Sequence, residues 1–246
     1  MMLEVETLVK DFGAMRAVNE VSFKIKEGDL VALIGPNGAG KTTLFNIITG
    51  FLWPDQGKVV FNGEVISRNP PYRIARRGIG LAFQITKIFP RMNVFQNVQV
   101  ALFAAQGKTV NLFSLASRVL KDETLEILSM IGLAEMAALP AGTLSQADKK
   151  RLEFAIALAG NPKFLLLDEP TSGQSAEETS LTVELIRRIN QEHSLTILFV
   201  EHKMPVVFGI AKRILVMHQG SLIAEGEPEA VRQDEKVQRA YLGESV

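Results

Sequence analysis

Cysteine is absent from this sequence of 246 residues, and neither acidic nor basic side chains are in excess. Without cysteine, disulfide bonds and cysteine-ligated metal sites are excluded, which fits a reducing compartment. The 27 basic and 27 acidic side chains give a formal net charge of +0. A balanced chain lacks the electrostatic signature of a nucleic-acid-binding protein, apart from any local basic patch. We therefore expect no nucleic-acid partner.

Long apolar runs are also missing. No run approaches the roughly 18 residues that a membrane-spanning helix needs. The N-terminal stretch MMLEVETLVKDFG carries acidic residues at once and lacks the apolar region of a signal peptide. We expect a soluble chain whose work at a membrane, if any, goes through partner chains. Its length suffices to bury a substantial core in one or two domains.

Short apolar runs separated by turns predict an α/β fold. Leu30–Gly35 is continuously apolar, which is typical of a strand buried on both faces. A polar-faced helix is predicted at Ala176–Gln191 between two further strands, and this order indicates a parallel sheet covered on both sides. The other predicted strands are Leu3–Val9, Val21–Lys26, a hairpin at Gly57–Ile66 turning at Asn62-Gly63, Gly78–Gln84, Lys163–Asp168, Leu195–Val200, Arg213–Met217 and Ser221–Glu225.

A helical region interrupts this pattern between residues 93 and 160, where no good strand is predicted. Ser117–Gly132 is amphipathic, with an apolar stripe at helical spacing. Ser145 precedes a second helix, which the Gly160-Asn161-Pro162 sequence ends. We predict a single domain over residues 1–246, in which residues 93–160 form a helical subdomain.

The stretch GPNGAGKT matches the phosphate-binding loop pattern G-x-x-x-x-G-K-[ST]. A predicted buried strand precedes it and a helix follows. In such a loop backbone N–H groups close around phosphate oxygens, Lys41 reaches the β- and γ-phosphates, and Thr42 can ligate Mg²⁺. A chance Gly-rich turn is the alternative, and the flanking strand and helix argue against it. The candidate nucleotide-binding residues here are Gly35, Pro36, Asn37, Gly38, Ala39, Gly40, Lys41, Thr42 and Thr43.

Two acidic residues end the apolar run FLLLDE. Acidic residues often follow strands simply because the chain enters solvent there. Beside a phosphate loop, however, Asp168 is suited to hold Mg²⁺ through water, and Glu169 to polarise an attacking water as a general base. The sequence therefore predicts hydrolysis of a nucleoside triphosphate with Mg²⁺, and the resemblance described next implies that the nucleotide is ATP.

In this order, the motifs resemble those of ABC-type ATPase subunits. Gln84, in AFQ, stands at the family's Q-loop, His202, in FVEH, at its switch histidine, and Ser145, in LSQADKKRLE, at its signature. Order and spacing match over nearly the whole chain. The resemblance implies a P-loop core with a mostly parallel sheet, an N-terminal antiparallel β-subdomain and a helical insert.

The resemblance also implies roles for single residues. Gln84 would contact Mg²⁺ and the γ-phosphate, and His202 would hydrogen-bond to the γ-phosphate and position water. Ser145 would reach ATP held by a second chain. Phe12 stands where the family stacks an aromatic ring on adenine, although a core phenylalanine is nearly as good an interpretation among 14 phenylalanines. Taken singly, polar residues at strand ends are more often merely solvated.

Two motifs depart from the family pattern. The signature is usually L-S-G-G-Q, but Gln146, Ala147 and Asp148 follow Ser145 here. Two glycines would let backbone N–H groups approach phosphate closely. Ser145 also fits a helix N-cap, with an acid three residues on, so we predict a working but weakened signature. The D-loop usually reads Ser-Gly-Leu-Asp, and here it is SGQS, which affects the expected communication between two ATP sites.

Other segments narrow the resemblance to one group of importers. LFNIITGFLWPDQGKVVFNGEVI, GLAFQITKIFPRMNVFQNV and IAEGEPEAVRQDEKVQRAYLGES resemble the larger ATPase subunit of importers for branched-chain amino acids, or related amides and urea. The implied partners are a second ATPase subunit, identical or different, two membrane permease subunits, and indirectly an external solute-binding protein. The implied location is the cytoplasmic face of the inner membrane.

The permease contact is expected near Gln84 and Ile85–Phe95. This segment offers four large apolar side chains, Ile88, Phe89, Met92 and Phe95, although about half of them should serve the local core.

Two other functions compete with transport. A soluble ABC-type ATPase acting on DNA or ribosomes usually has two cassettes or a coiled coil, and the single cassette of balanced charge in this chain argues against that function. A nucleotide-binding regulatory module without hydrolysis would suit the altered signature, but Lys41, Asp168, Glu169 and His202 argue against it.

Overall fold

The computed structural model describes residues 1–82, 88–106 and 120–242, with side chains up to residue 240. Its strands are β1 (Leu3–Phe12), β2 (Met15–Ile25), β3 (Leu30–Ile34), β4 (Gln56–Phe61), β5 (Glu64–Val65), β6 (Ile79–Ala82), β7 (Phe164–Asp168), β8 (Thr196–Val200), β9 (Arg213–His218) and β10 (Ser221–Gly226). Its α-helices are α1 (Lys41–Ile48), α2 (Pro71–Arg76), α3 (Val94–Ala105), α4 (Lys121–Met130), α5 (Gln146–Ala159), α6 (Ala176–Glu192), α7 (Met204–Ile210), α8 (Pro228–Gln233) and α9 (Glu235–Leu242).

The N-terminal strands form an antiparallel sheet of four strands in the order β2-β1-β4-β5. The predicted hairpin is confirmed: β4 and β5 pair on either side of Asn62 and Gly63, which both have positive φ. Such a turn matches the twist of the strands and favours Asn-Gly. Strand β2 begins earlier than predicted. The side chains of its first half are exposed or half-buried apart from Val18, so this part of the strand has no apolar alternation that the sequence could reveal.

The second sheet has six strands in the order β10-β9-β3-β8-β7-β6, and all pairs except β10 with β9 are parallel. Every residue of β3 and β8 is buried. Alternate residues of β3 serve two different cores: Ala32 packs toward the helical part of the chain, and Leu33 toward α1 and the antiparallel sheet. The predicted parallel sheet, covered on both faces, is confirmed.

Helices α3, α4 and α5 pack against one another and contribute to one of these cores. Asn93 caps α3 with a full capping box to Gln96, and Asn97, nearly fully buried, binds backbone groups of Phe89, Met92 and Asn93. Of the four apolar residues expected at a permease contact, Ile88, Met92 and Phe95 are half-buried, and Phe89 remains exposed. None of the helices in the described ranges is both long and apolar enough to cross a bilayer.

The register of the parallel strands brings the candidate site motifs of the chain to one edge of the sheet. Asp168 of β7 is opposite Val200 of β8, and Val200 is opposite Leu33 of β3. The segments that follow these three strands therefore emerge side by side, since parallel strands end at the same edge. The candidate site is built there.

Candidate active site

The loop between β3 and α1 is tightly packed against neighbouring backbone. Gly40 has φ +99, and a Cβ atom there would lie 2.3 Å from the carbonyl oxygen of Ala17. A Cβ atom at Gly35 would lie 2.2 Å from the carbonyl oxygen of Met217. Side chains are sterically excluded at both positions. Because Gly40 offers no side-chain cap to α1, the first N–H groups of this helix stay open toward an anion.

Lys41 lies buried at the start of α1. Its Nζ donates to the carbonyl oxygens of Gly35, at 2.6 Å, and Pro36, at 2.9 Å. Burial lowers the pKa of this amine, while the carboxylates of Glu169 and Asp168 act in the opposite direction. The amine is thus held inside the loop by carbonyl oxygens, where an incoming phosphate would be a stronger partner.

Asp168 ends β7, and Glu169 follows it with φ 50. Burial raises the pKa of the Asp168 carboxyl, and the nearby charge of Glu169 raises it further, against the smaller effects of Lys150, Lys41 and His202. The backbone N–H of Glu169 donates to Val200, at 3.0 Å, which fixes the turn after β7 to β8. Two carboxyl groups therefore sit together at the edge of the sheet.

His202 meets Glu169 in space. Nε2 of His202 lies 3.1 Å from Oε1 of Glu169, with the histidine about two-fifths exposed. A positioned carboxylate with a hydrogen-bond partner that can orient it is the arrangement that a general base requires. This pairing joins two predicted catalytic residues that the sequence offered separately.

A cavity of about 440 Å³ opens between these groups. Most of the predicted loop residues line it, from Asn37 to Thr43, together with Asp168, Glu169 and His202. The residues of its wall that sequence reasoning missed include Met15, Arg16, Ala17 and Gln219. No motif marks these residues, and only the pairing of β1 with β2 and the close approach of the β9–β10 turn bring them there.

Phe12 is not among the residues that line this cavity. It is 43% exposed at the end of β1, pairs with Met15 across the turn, and carries the Lys10 ammonium 5.7 Å from its ring centroid. The core alternative for Phe12 is therefore wrong. An exposed aromatic ring beside the cavity agrees with the stacking role, which stays a prediction.

The donor set fits a hard cation that keeps phosphate or water ligands. The described residues contain no cluster of three His, Asp or Glu side chains that could hold a metal alone. Mg²⁺ binds through one or two carboxylates plus substrate phosphates rather than in an all-protein cage. Thr42 and Asp168 line the same cavity. A cation there would offset the burial and the neighbouring charge of Glu169, which together raise the pKa of Asp168.

Ser145 caps α5, as predicted. Its Oγ accepts from the backbone N–H of Asp148, at 3.1 Å, and its hydroxyl donates to Oδ2 of the same residue, at 2.7 Å. Arg151 approaches the other carboxylate oxygen, at 3.4 Å. Ser145 does not line the cavity of its own chain. The hydroxyl proton that the signature would offer to a second chain's phosphate is thus already bound by Asp148.

The second departure from the family pattern has a local explanation. Ser175 caps α6 with a full capping box to Glu178. Serine and aspartate are about equally good N-caps, so serine keeps the capping ability of the usual aspartate. Gln174 accepts from the Thr182 hydroxyl, at 2.9 Å.

The predicted Q-loop residue Gln84 lies outside the described residues. So do residues 85–87 of the predicted permease contact and residues 117–119 of the predicted amphipathic stretch. Most of the remainder of that stretch forms α4, in which Leu128 is buried, and Ile131, just after the end of the helix, is buried too. Of the proposed site residues that the structure describes, those from Asn37 to Thr43 come together with Asp168, Glu169 and His202. Gly35, Pro36, Phe12 and Ser145 are not among the residues that line the cavity.

Comparison with known proteins gives a consistent result over the whole length. Residues 18–172 match the family model described as ABC transporter, and residues 221–246 match the one described as branched-chain amino acid ATP-binding cassette transporter. The chain is 40% identical, over 99% of its length and 98% of the relative, to the high-affinity branched-chain amino acid transport ATP-binding protein LivG of Escherichia coli. It is 38% identical, at the same coverage, to BraF of Pseudomonas aeruginosa, which has the same description.

Solved structures agree with the fold. An ATP-binding cassette of an ABC transporter in its ADP conformation superposes with a TM-score of 0.85, at 31% identity, and each chain is 98% covered. A dimeric cassette bound to ADP and phosphate in a post-hydrolysis state superposes with a TM-score of 0.78, at 26% identity, with 92% of this chain and 99% of that chain covered.

Proposed function

The chain belongs to the ABC transporter family of ATP-binding proteins, and from this premise we propose that it powers an importer of branched-chain amino acids or related solutes by hydrolysing ATP. One observation carries the proposal: the cavity at the sheet edge combines a phosphate loop with Asp168, Glu169 and His202. The match of residues 221–246 to the branched-chain amino acid group favours this solute class over others.

Within this proposal, the chain's own groups divide the work. The open N–H groups of α1 and the Lys41 amine bind the phosphates of ATP, and Thr42 and Asp168 hold Mg²⁺. Glu169 accepts a proton from the attacking water. His202 lies 3.1 Å from the Glu169 carboxylate, which it orients, and as a residue of the cavity wall it would hydrogen-bond to the terminal phosphate. The family resemblance also assigns Gln84, which lies outside the described residues, to contact with the cation and the γ-phosphate.

A second ATPase chain completes each site. We assign Ser145 to ATP held by the phosphate loop of that second chain, where the N-terminus of α5 contributes its positive dipole end. The dimeric cassette described above supports an arrangement of two such chains. The second chain is either a copy of this one or a different ATPase subunit.

The permease is proposed to dock beside the helical part of the chain. A second cavity, of about 360 Å³, lies between α2, β6 and the end of α5, and its lining is mostly apolar. Phe51 and Tyr72 line it and are each at least half exposed. An apolar segment of a membrane subunit would cover these rings at the cytoplasmic face of the membrane, together with Ile85–Phe95. The solute itself would touch an external binding protein and the permease, never this chain.

The experiment is affinity purification of the tagged full chain from detergent-solubilised membranes, followed by mass spectrometry and a phosphate-release assay. We expect a second ATPase chain and two permease chains to copurify, with phosphate release that solute-loaded binding protein increases. Copurification of nucleic acid or ribosomes would instead favour the soluble ATPase alternative. An intact complex that binds ATP without releasing phosphate would favour the regulatory alternative.

A further inference from the structure

Glu201 directly precedes His202 and is almost fully buried, with 3% exposure. Its carboxylate spans two segments of the chain. Oε1 accepts from the backbone N–H of Thr171, at 2.9 Å, and from the Thr171 hydroxyl. Oε2 accepts from the backbone N–H groups of His202, at 2.9 Å, and Lys203, at 3.2 Å. A buried charge that is satisfied by four donors holds both segments at fixed distance.

Lys203 makes the return connection. Its Nζ donates to the carbonyl oxygens of Thr171, at 3.1 Å, and Gln174, at 3.3 Å, and to the hydroxyl of Thr179, at 3.0 Å. An ammonium group has three protons, and three acceptors surround this one. The side chains on both sides of His202 therefore bind the same turn, residues 171–174, which follows the candidate base Glu169.

This turn has one buried and one exposed part. Thr171, at the start of the turn, is fully buried, whereas Ser172 and Gly173 at its tip are exposed. The tip belongs to the D-loop sequence SGQS. A surface that presses on the tip would displace the carbonyl oxygens that Lys203 binds. The displacement would reach the backbone of His202 through Lys203 and Glu201.

We propose that Lys203 and Glu201 are positioning residues that make the turn 171–174 and His202 move as one unit, so that contact of a second chain with the turn sets the His202–Glu169 pair. The inference rests on the proposed function, because it assigns a consequence to the pairing of two ATPase chains. Neither residue lines the cavity, so both act through His202.

The test compares Lys203→Met with Lys203→Arg in the purified complex. Methionine nearly keeps the length of the side chain but has no N–H groups to donate. Arginine supplies N–H donors and a positive charge again. We expect Lys203→Met to lower kcat for phosphate release about tenfold to a hundredfold, the usual effect of a small misplacement of a catalytic group, with unchanged affinity for MgATP. Lys203→Arg should recover most of kcat. The exposed Lys236 of α9 supplies the control, Lys236→Met, with wild-type kcat.

A double-mutant cycle with His202→Ala distinguishes positioning from general damage to the fold. If Lys203 acts through His202, Lys203→Met should have no further effect on kcat once His202 is alanine. Fully additive losses would contradict the proposal. So would wild-type kcat in Lys203→Met.

Hydrogen exchange supplies a measurement that needs no hydrolysis. Lys203→Met should raise amide exchange in residues 171–174 and in residues 202–203 together, and Lys236→Met in neither. Faster exchange in only one of the two segments, or in neither, would overturn the coupled unit. Absence of phosphate release by the wild-type complex would instead refute the proposed function and leave this second result to decide the inference.

Discussion

Nε2 of His202 lies 3.1 Å from Oε1 of Glu169, although the two residues are 33 positions apart in the chain. The contact exists because β7 and β8 are neighbours in register, with Asp168 opposite Val200. A carboxylate fixed in this way is a better general base than one that rotates freely in solvent. The first prediction concerns this pair.

Replacement of Glu169 by glutamine should keep ATP binding and slow phosphate release by roughly 10²–10⁴, the usual contribution of a positioned base. Glutamine keeps the shape and a hydrogen bond to His202 but cannot take up the proton of water. Phosphate release and nucleotide titration on the same preparation check the prediction. The variant complex should accumulate in its ATP-bound form. A wild-type rate of release would show that Glu169 is not the base.

Lys41→Met should abolish tight binding of MgATP. Methionine removes the cation from the phosphate loop and leaves the carbonyl oxygens of Gly35 and Pro36 without their donor. Titration with a fluorescent ATP analogue measures the loss, and Lys236→Met serves as the control at an exposed position. Equal affinity of the two variants would contradict the assignment of the loop.

The raised pKa of Asp168 predicts a pH-dependent gain in stability for Asp168→Asn. Because burial and Glu169 raise the folded-state pKa above the unfolded one, the carboxyl group stabilises the fold at low pH. This contribution is lost as the pH rises through the raised value. The nucleotide-free asparagine variant should therefore have a higher Tm than wild type at neutral pH, and the difference should shrink toward acidic pH. Thermal unfolding over a series of pH values measures it.

Asp55 offers a matched control of opposite sign. The backbone N–H of Asp11 and the Lys10 ammonium lower the pKa of its carboxyl group. Its stabilising contribution is present above the unfolded-state pKa and is lost as the pH falls through the lowered value. Asp55→Asn should therefore have a lower Tm than wild type at neutral pH, with the difference vanishing in acid. Identical pH profiles for the two variants would contradict both assignments.

The bond between Ser145 and Asp148 predicts that this signature can be improved. Asp148→Gln removes the anion that accepts the Ser145 hydroxyl proton, at 2.7 Å, and restores the residue usual in the family. The assembled complex should then hydrolyse ATP faster. The Ser145 hydroxyl would be free to donate to the phosphate, and no carboxylate at position 148 would repel the phosphate. Steady-state phosphate release measures the change. A rate at or below that of wild type would show that Asp148 does not restrain the site.

Capping and catalysis by Ser145 can be separated with two substitutions. Ser145→Ala removes the cap of α5 and should cost about 0.5–2 kcal/mol of unfolding free energy. Ser145→Asn keeps a good cap and should unfold as wild type does, while hydrolysis is lost at the partner's phosphate loop. Full hydrolysis by the asparagine variant would assign Ser145 to capping alone, or place the turnover at the other composite site. The same change in the second ATPase chain distinguishes these two outcomes.

Cross-linking checks the permease contact in a chain that has no cysteine of its own. Cysteine introduced at Tyr72 or Phe89, both more than half exposed, should cross-link to a permease subunit in membranes. Cysteine at Glu192, exposed at the end of α6, should not. The same product at all three positions, or at Glu192 alone, would place the permease elsewhere.

Much of the site could be predicted from sequence because its elements are local. A phosphate loop is a contiguous stretch, and its glycines, Lys41 and Thr42 work within eight residues of backbone. The buried strands could also be predicted, because a strand covered on both faces is apolar along nearly its whole length. The N-cap of α5 also followed from short-range hydrogen bonding, as Ser145 and its bond to the Asp148 N–H confirm.

Tertiary structure decided the relationships that depend on pairing across the sheet. The register of β7 with β8 sets the distance from His202 to Glu169, and the turn between β9 and β10 brings Gln219 to the cavity. Glu201 and Lys203 read as ordinary charges beside a motif until folding places the turn 171–174 against them. Local preferences act over a few residues, whereas contacts between distant segments form only when the whole sheet buries its two faces.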